Sequence, residues 1–162
     1  MKLRKLALKD APFMLEWMHD ASVTAFMKAN FAAKTLADCE AFISAAQDTD
    51  SNLHLAITDE ADEYMGTVSL KHIANRTAEF GITVRKCAMG KGYSRFGMSE
   101  ILKTGLRELG LEKIYWCVSP DNGRAVRFYD KQGYARGGAP AEAQGYSDEE
   151  KHRYIWYEVT EL

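Results

Sequence analysis

The spacing of apolar residues changes period several times along the chain, and each change predicts an element. In "KLRKLAL", Leu3 is separated from Leu6 and Leu8 by Arg4 and Lys5, the pattern of a half-buried strand. "DAPFMLEWMHD" then sets Phe13, Met14, Trp17 and Met18 on one helical face, with Asp10 as the expected N-cap and Pro12 in the first turn. "KTLADCEAFISAAQD" predicts a second helix. Thr35 and Asp38 form a variant capping box, and Leu36, Cys39, Phe42, Ile43 and Ala46 form the apolar stripe, so Cys39 is expected in the core.

Period two follows. "NLHLAIT", "YMGTVSLKHI" and "AEFGITV" are separated by the short polar turns "DEADE" and "NRT", which predicts an antiparallel meander. In "SRFGMSEILKTGLRELG", Met98, Ile101, Leu102, Leu106 and Leu109 return to helical spacing, and Gly110 is placed to stop the helix. "KIYWCV" is a strand with Ile114, Trp116 and Val118 on one face. "SPDNGRAVRFYDKQG" is a short helix ended by Gly133, and "YARGG" and "RYIWYEV" are closing strands.

This order predicts an α/β fold around one mixed sheet. The sheet is mostly antiparallel, carries a βαβ crossover in its second half and has flanking helices. No repeat, linker or low-complexity tract divides residues 1–162, which are expected to form one domain. At 46% hydrophobic and 27% charged residues, the composition suits one buried core. A net charge of −2 provides no field for a nucleic-acid partner. Cys39, Cys87 and Cys117 lack metal-ligand spacing, so free thiols and no metal are expected. No signal-peptide pattern opens the sequence and no apolar run matches a bilayer, so a cytoplasmic protein is expected.

The stretch "RKCAMGKGYSRFGM" needs a separate explanation, because "GKGY" lies between a strand pattern and a helix pattern. A Walker A loop is excluded: no glycine lies five residues before Gly90, and Lys91 is followed by Gly92. A dinucleotide fingerprint is weakened by Arg95 in the place of its third glycine. Two readings remain: a plain glycine turn with solvated lysines, and a turn whose amides cradle a diphosphate at the helix start. In the second, Lys91 and Arg95 add positive charge.

With "EFGITV" before it and "NGRAVRFYDKQGY" after it, this stretch resembles the GNAT acyl-CoA N-acyltransferase superfamily. The likeness is to its branch of ribosomal-protein, spermidine and sugar-nucleotide amine acetyltransferases. The resemblance covers nearly the whole chain and is most specific between Met65 and Tyr134. It implies acetyl-CoA as co-substrate, with the diphosphate on the loop Met89, Gly90, Lys91, Gly92, Tyr93 and Ser94. Met89 stands where the family usually has Gln or Arg, and Ser94 where it has a small final residue. The family's splayed strand, whose amides bind thioester and pantetheine, corresponds here to "GITV", with Ile82 and Val84 at the matching positions. Asn122 matches the family asparagine that bonds pantetheine or caps the following helix, and Tyr129 matches the tyrosine that points at the CoA sulfur.

The implied reaction moves an acetyl group to a primary amine, of a small molecule or a protein N-terminus. Such an amine is mostly ammonium at neutral pH, and deprotonating it costs about 4 kcal/mol. A base, a donor for the carbonyl oxygen and an acid for the departing thiolate are therefore needed. Tyr129 is the candidate acid, although Ala125, Val126 and Tyr129 share a helical face that also suits a core. Glu79 is the candidate base, set against its reading as an exposed strand carboxylate; His54 and His72 are alternatives by residue type. Trp17, Phe26, Phe31 and Tyr146 are the aromatics available to shape an acceptor pocket; the acidic segments "TDEADE" and "SDEE" could favour a cationic acceptor such as a polyamine or a basic N-terminus, but are expected more as solvated turns. The competing function is a CoA-binding or sensing module without turnover. Relatives in the resembled family are often dimers, so a homodimer is the assembly to expect.

Overall fold

Strand alternation in the first half buries both faces of a sheet rather than one. The computed structural model describes residues 1–162. Its strands are β1 (Lys2–Lys5), β2 (Leu53–Thr58), β3 (Tyr64–Ala74), β4 (Thr77–Val84), β5 (Lys113–Val118), β6 (Ala135–Gly137) and β7 (Ile155–Val159). They form one seven-stranded sheet in the order β1-β2-β3-β4-β5-β7-β6. Every neighbouring pair is antiparallel except β4 and β5, which run parallel across the predicted crossover. The α/β mixed-sheet expectation holds.

The helices are α1 (Ala11–Met18), α2 (Ala21–Thr24), α3 (Leu36–Ala45), α4 (Tyr93–Lys103), α5 (Gly123–Lys131) and α6 (Asp148–Arg153). Because neighbouring strand residues point to opposite faces, Ile57 and Ala56 join different cores. Ile57, Val68, Leu70, Phe80 and Trp116 pack with Met98, Ile101 and Leu102 of α4 and Tyr129 of α5. On the other face, Leu6, Ala56 and Tyr64 pack with Met14, Trp17 and Met18 of α1 and Cys39 and Ile43 of α3. Tyr115, Ala143 and Trp156 cover the opposite face of the second half.

Several local expectations are corrected. Asp10 does not cap α1 through its side chain. Its carboxylate is fully buried and accepts 2.8 Å bonds from both Arg4 Nη atoms and from the Ala7 amide. Leu36 and Phe42 of the α3 stripe are exposed, although Phe42 lays its ring edge-on to His54 at 4.9 Å. Leu109 is also exposed, at 49%. α4 continues into a π-helical turn over Thr104–Glu108; Leu106 in that turn still packs against the core, and the wider turn leaves Leu109 beyond it facing outward. "SDEE" is not a solvated loop: Ser147 and Glu150 form a capping box that starts α6.

One buried cation ties the site's strand to the first helix. Arg85, directly after β4, holds Glu16 of α1 through Nε (2.9 Å) and Nη2 (3.0 Å). Its Nη1 bonds Glu63 (2.7 Å) and the Tyr64 carbonyl (3.1 Å). Its guanidinium lies 4.4 Å from the centre of the Phe13 ring.

Candidate active site

β4 and β5 are paired only at Thr77–Lys113, Ala78–Ile114 and Glu79–Tyr115. Beyond Glu79 they part, and the facing edges of Phe80–Val84 and Trp116–Ser119 line a cleft of ≈ 880 Å³. Backbone donors and acceptors on such edges require partners from elsewhere, so the split prepares them for a ligand. Ile82 and Val84 line this cleft, as do Glu79, Met89, Gly90, Gly92, Ser94, Asn122 and Tyr129. Lys91 and Tyr93 lie outside its lining. Lys91 is exposed on the loop, and Tyr93 packs against the main core.

At one end of the cleft, the glycine turn places two residues in the left-handed region just before α4. Gly90 has φ +76° and Gly92 φ +91°. A Cβ at Gly90 would meet nothing within 4 Å, so glycine is required there for backbone conformation rather than for room. Gly92 is the N-cap residue of α4, and no side chain caps that helix. The first-turn amides of α4 therefore lack a protein side-chain acceptor, where the helix dipole favours an anion. By contrast, Thr35 caps α3, and Asn122 caps α5 by accepting from the Ala125 amide at 3.3 Å.

The loop is also given a cation that sequence reasoning missed. Arg124 lines the cleft from the first turn of α5 and places Nη1 3.1 Å from the Met89 sulfur. A thioether is a weak acceptor, so most of this guanidinium's donor capacity is unspent. Its signal in the sequence was its place two residues after Asn122.

Glu79 is the second centre of charge. It is only 4% exposed, so it is not the solvated strand carboxylate its position allowed. Tyr146 donates its hydroxyl to Glu79 Oε1 at 2.6 Å, Lys71 Nζ lies 3.7 Å from Oε1, and His72 Nε2 lies 3.9 Å from Oε2. Lys71 faces Glu79 directly across the β3–β4 ladder. His72 would ordinarily point to the opposite face. The register shift between Lys71 and Ala74, with His72 at φ +53°, brings its ring to the same carboxylate. Burial pushes the Tyr146 phenol up, and its bonds to Cys117 and Glu79 push it further, so it remains a donor. Burial likewise pushes the Cys117 thiol up to about 11. A thiol held protonated at neutral pH is a poor nucleophile.

Tyr129 is 8% exposed and packs against Trp116 and Tyr157 with ring centroids 5.4 and 5.2 Å apart. Burial raises its pKa, so the hydroxyl keeps its proton. It lines the cleft as well as the core, so the two readings of this residue are compatible.

Of the other sequence candidates, His54 lies outside the cleft lining. Its Nδ1 is 2.7 Å from Ser69 Oγ. Trp17 is a core residue that donates from Nε1 to Tyr64 Oη at 3.0 Å. Phe26, Phe31 and Tyr146 do line the cleft. No group of His, Cys, Asp and Glu residues is arranged to hold a metal ion, and no helix is long and apolar enough to cross a membrane.

Comparisons with known proteins agree with this architecture. The family model described as an acetyltransferase (GNAT) domain matches residues 1–135. An uncharacterized N-acetyltransferase, p20, of Bacillus licheniformis is 26% identical over 143 residues, covering 84% of this chain and 79% of that protein. The spermidine N(1)-acetyltransferase of Vibrio cholerae is 32% identical over 84 residues, covering 51% of this chain and 49% of that protein. The Vibrio cholerae spermidine N-acetyltransferase solved with CoA and spermine superposes with a TM-score of 0.80 at 21% identity, over 98% of this chain and 94% of that one. A GNAT-family acetyltransferase from Bacillus anthracis gives 0.75 at 20% identity, over 98% and 93%.

Proposed function

The chain belongs to the GNAT acetyltransferase family, and we propose that it moves the acetyl group of acetyl-CoA onto a primary amine, of a small molecule or a protein N-terminus, held beside Glu79. The observation that carries this reading is the parting of β4 and β5. It opens one cleft with an uncapped helix start at one end and a buried carboxylate near the remaining β4–β5 pairing.

Acetyl-CoA supplies an activated acyl thioester. The residues that hold it are the main chain of Met89–Ser94 and the first turn of α4, with Arg124 beside them, for the diphosphate. The edge of β4 at Ile82 and Val84, together with Asn122, serves the pantetheine arm and the carbonyl oxygen. Each charge-assisted amide bond to phosphate is worth roughly 1.5–3 kcal/mol.

Glu79 receives the proton that the ammonium group must lose, directly or through a water. Tyr146 and Lys71 hold its carboxylate in place. The freed nitrogen attacks the thioester carbonyl and forms the new C–N bond; as the C–S bond breaks, it sheds its second proton to solvent. Tyr129 gives its hydroxyl proton to the departing sulfur and is reprotonated from solvent. The phenol is neutral at ordinary pH and burial makes it a weaker acid still, so it donates only as negative charge builds on the sulfur beside it.

The test is a titration with acetyl-CoA followed by turnover on amines. A ligand selective for the native state raises apparent stability by about 2.7 kcal/mol at a hundredfold excess over its Kd. The expected result is a rise in Tm and release of free thiol when amine is added. No shift and no heat of binding would overturn the assignment of the cleft. Binding without thiol release on any amine would leave a sensing module.

A further inference from the structure

The acceptor end of the cleft carries little negative charge. Its lining includes Val23, Phe26, Met27, Phe31, Tyr146 and Tyr154. The segment Val23–Phe31 is fastened to the Tyr146 turn through Lys28. Lys28 Nζ bonds the Gly145 carbonyl at 2.8 Å, lies 2.9 Å from Glu150 Oε2 and sits 4.6 Å above the Tyr146 ring. Phe26 is 50% exposed, a large apolar ring at the cleft that the protein covers only by half. The ionised side chains in the lining here are Glu79, Lys28 and Lys71, so cations outnumber anions. Glu150, beyond the lining, is engaged by Lys28 and by the Ser147 amide.

A cation entering this end meets one buried carboxylate. A second ammonium on the same molecule would face Lys28, Lys71 or the apolar wall, and a desolvated charge without a partner is strongly disfavoured. An apolar group in that position would instead cover Phe26 and Val23 and remove their surface from water.

Resting on the acetyltransferase reading, we infer that the acceptor is a monoamine with an apolar body of aryl size, its single ammonium addressed to Glu79, and not a polyamine. Two sources share this chemistry: a free arylalkylamine, and a polypeptide N-terminus that begins with a bulky apolar residue.

The experiment measures thiol release from acetyl-CoA by the full chain with phenethylamine, spermidine, a Phe-first peptide and an Asp-first peptide. The apolar amines should exceed spermidine in kcat/KM by at least about tenfold, the scale on which an apolar pocket discriminates. The Phe-first peptide should exceed the Asp-first one similarly. Whichever of phenethylamine and the Phe-first peptide is faster identifies the source, and either result supports the inference. Phe26→Asp changes an exposed residue, so folding and acetyl-CoA affinity should be retained. It should raise KM for phenethylamine and narrow or reverse the preference over spermidine. Faster turnover of spermidine by the parent, or an unchanged ratio in Phe26→Asp, would overturn the inference while leaving the acetyltransferase reading intact. Acetyl-CoA binding with no turnover of any of the four would also overturn it. Failure to bind acetyl-CoA would instead remove the reading on which it rests.

Discussion

Removing one oxygen from Tyr129 separates a proton donor from a packing residue. The ring lies against Trp116, Phe128 and Tyr157 at centroid separations of 5.2–5.4 Å, and a phenylalanine keeps all three contacts. No protein bond to the hydroxyl contributes to its raised pKa, which comes first from burial and then from neighbouring Tyr157, Cys117 and Tyr134. Tyr129→Phe therefore strands no buried partner, and its effect on stability should stay below about 1 kcal/mol. If the hydroxyl protonates the leaving sulfur, turnover should fall by about 10²-fold, the usual scale of general-acid catalysis. That corresponds to about 2.7 kcal/mol of barrier. The assay compares kcat by thiol release, acetyl-CoA affinity by calorimetry and Tm, on the same preparation. The expected outcome is matched Tm, affinity within a few-fold and a collapsed kcat. Near-parent kcat would remove Tyr129 from the mechanism, and loss of binding with activity would make its role structural.

Other perturbations probe the loop and the fold. Arg124→Ala should weaken acetyl-CoA binding by several-fold, since an exposed charge contact is worth about 0–1 kcal/mol. Met89→Arg should recover that loss in the Arg124→Ala background and add less in the parent, where two guanidinium groups would compete for one place; calorimetry of the four proteins checks both. His54 binds its proton less readily in the fold than its ordinary value of 6.5, because of burial first and Lys71 second. The unfolded chain then takes up more protons as the medium acidifies, so this group's contribution is present above about pH 6.5 and is lost below it. Urea midpoints at pH 7.5 and 5.5 should differ less in His54→Asn than in the parent, and equal differences would refute the assignment.

Much of this fold was legible because local rules and tertiary packing agree. Ile114, Trp116 and Val118 alternate and all enter one core, and the Thr35–Asp38 box starts a helix where the pattern predicted one. The glycine turn was legible because positive φ at Gly90 and Gly92 leaves its mark in residue type. What escaped depends on distant partners. Asp10 is a sound N-cap by type, but Arg4 claims its carboxylate. Leu109 falls on the stripe at α-helical spacing, and only the π-helical turn moves it out. The bond of Tyr146 to Glu79 spans 67 residues and has no local signature. His72 reaches Glu79 through a bulge that alternation cannot reveal.

The insertion of β7 between β5 and β6 has a consequence for synthesis. A ribosome delivers β5 and β6 well before Ile155–Val159, the last strand in sequence order, that separates them. Until then, the edge of β5 that β7 will cover is an unpaired template in the nascent protein. The wall that carries Trp116–Ser119 thus acquires its neighbour only after the earlier strands have emerged. Such long-range pairing closes late and exposes apolar edges meanwhile. Nascent chains stalled before Ile155 should therefore be the ones that chaperones hold, even though the meander β1-β2-β3-β4 has already been made.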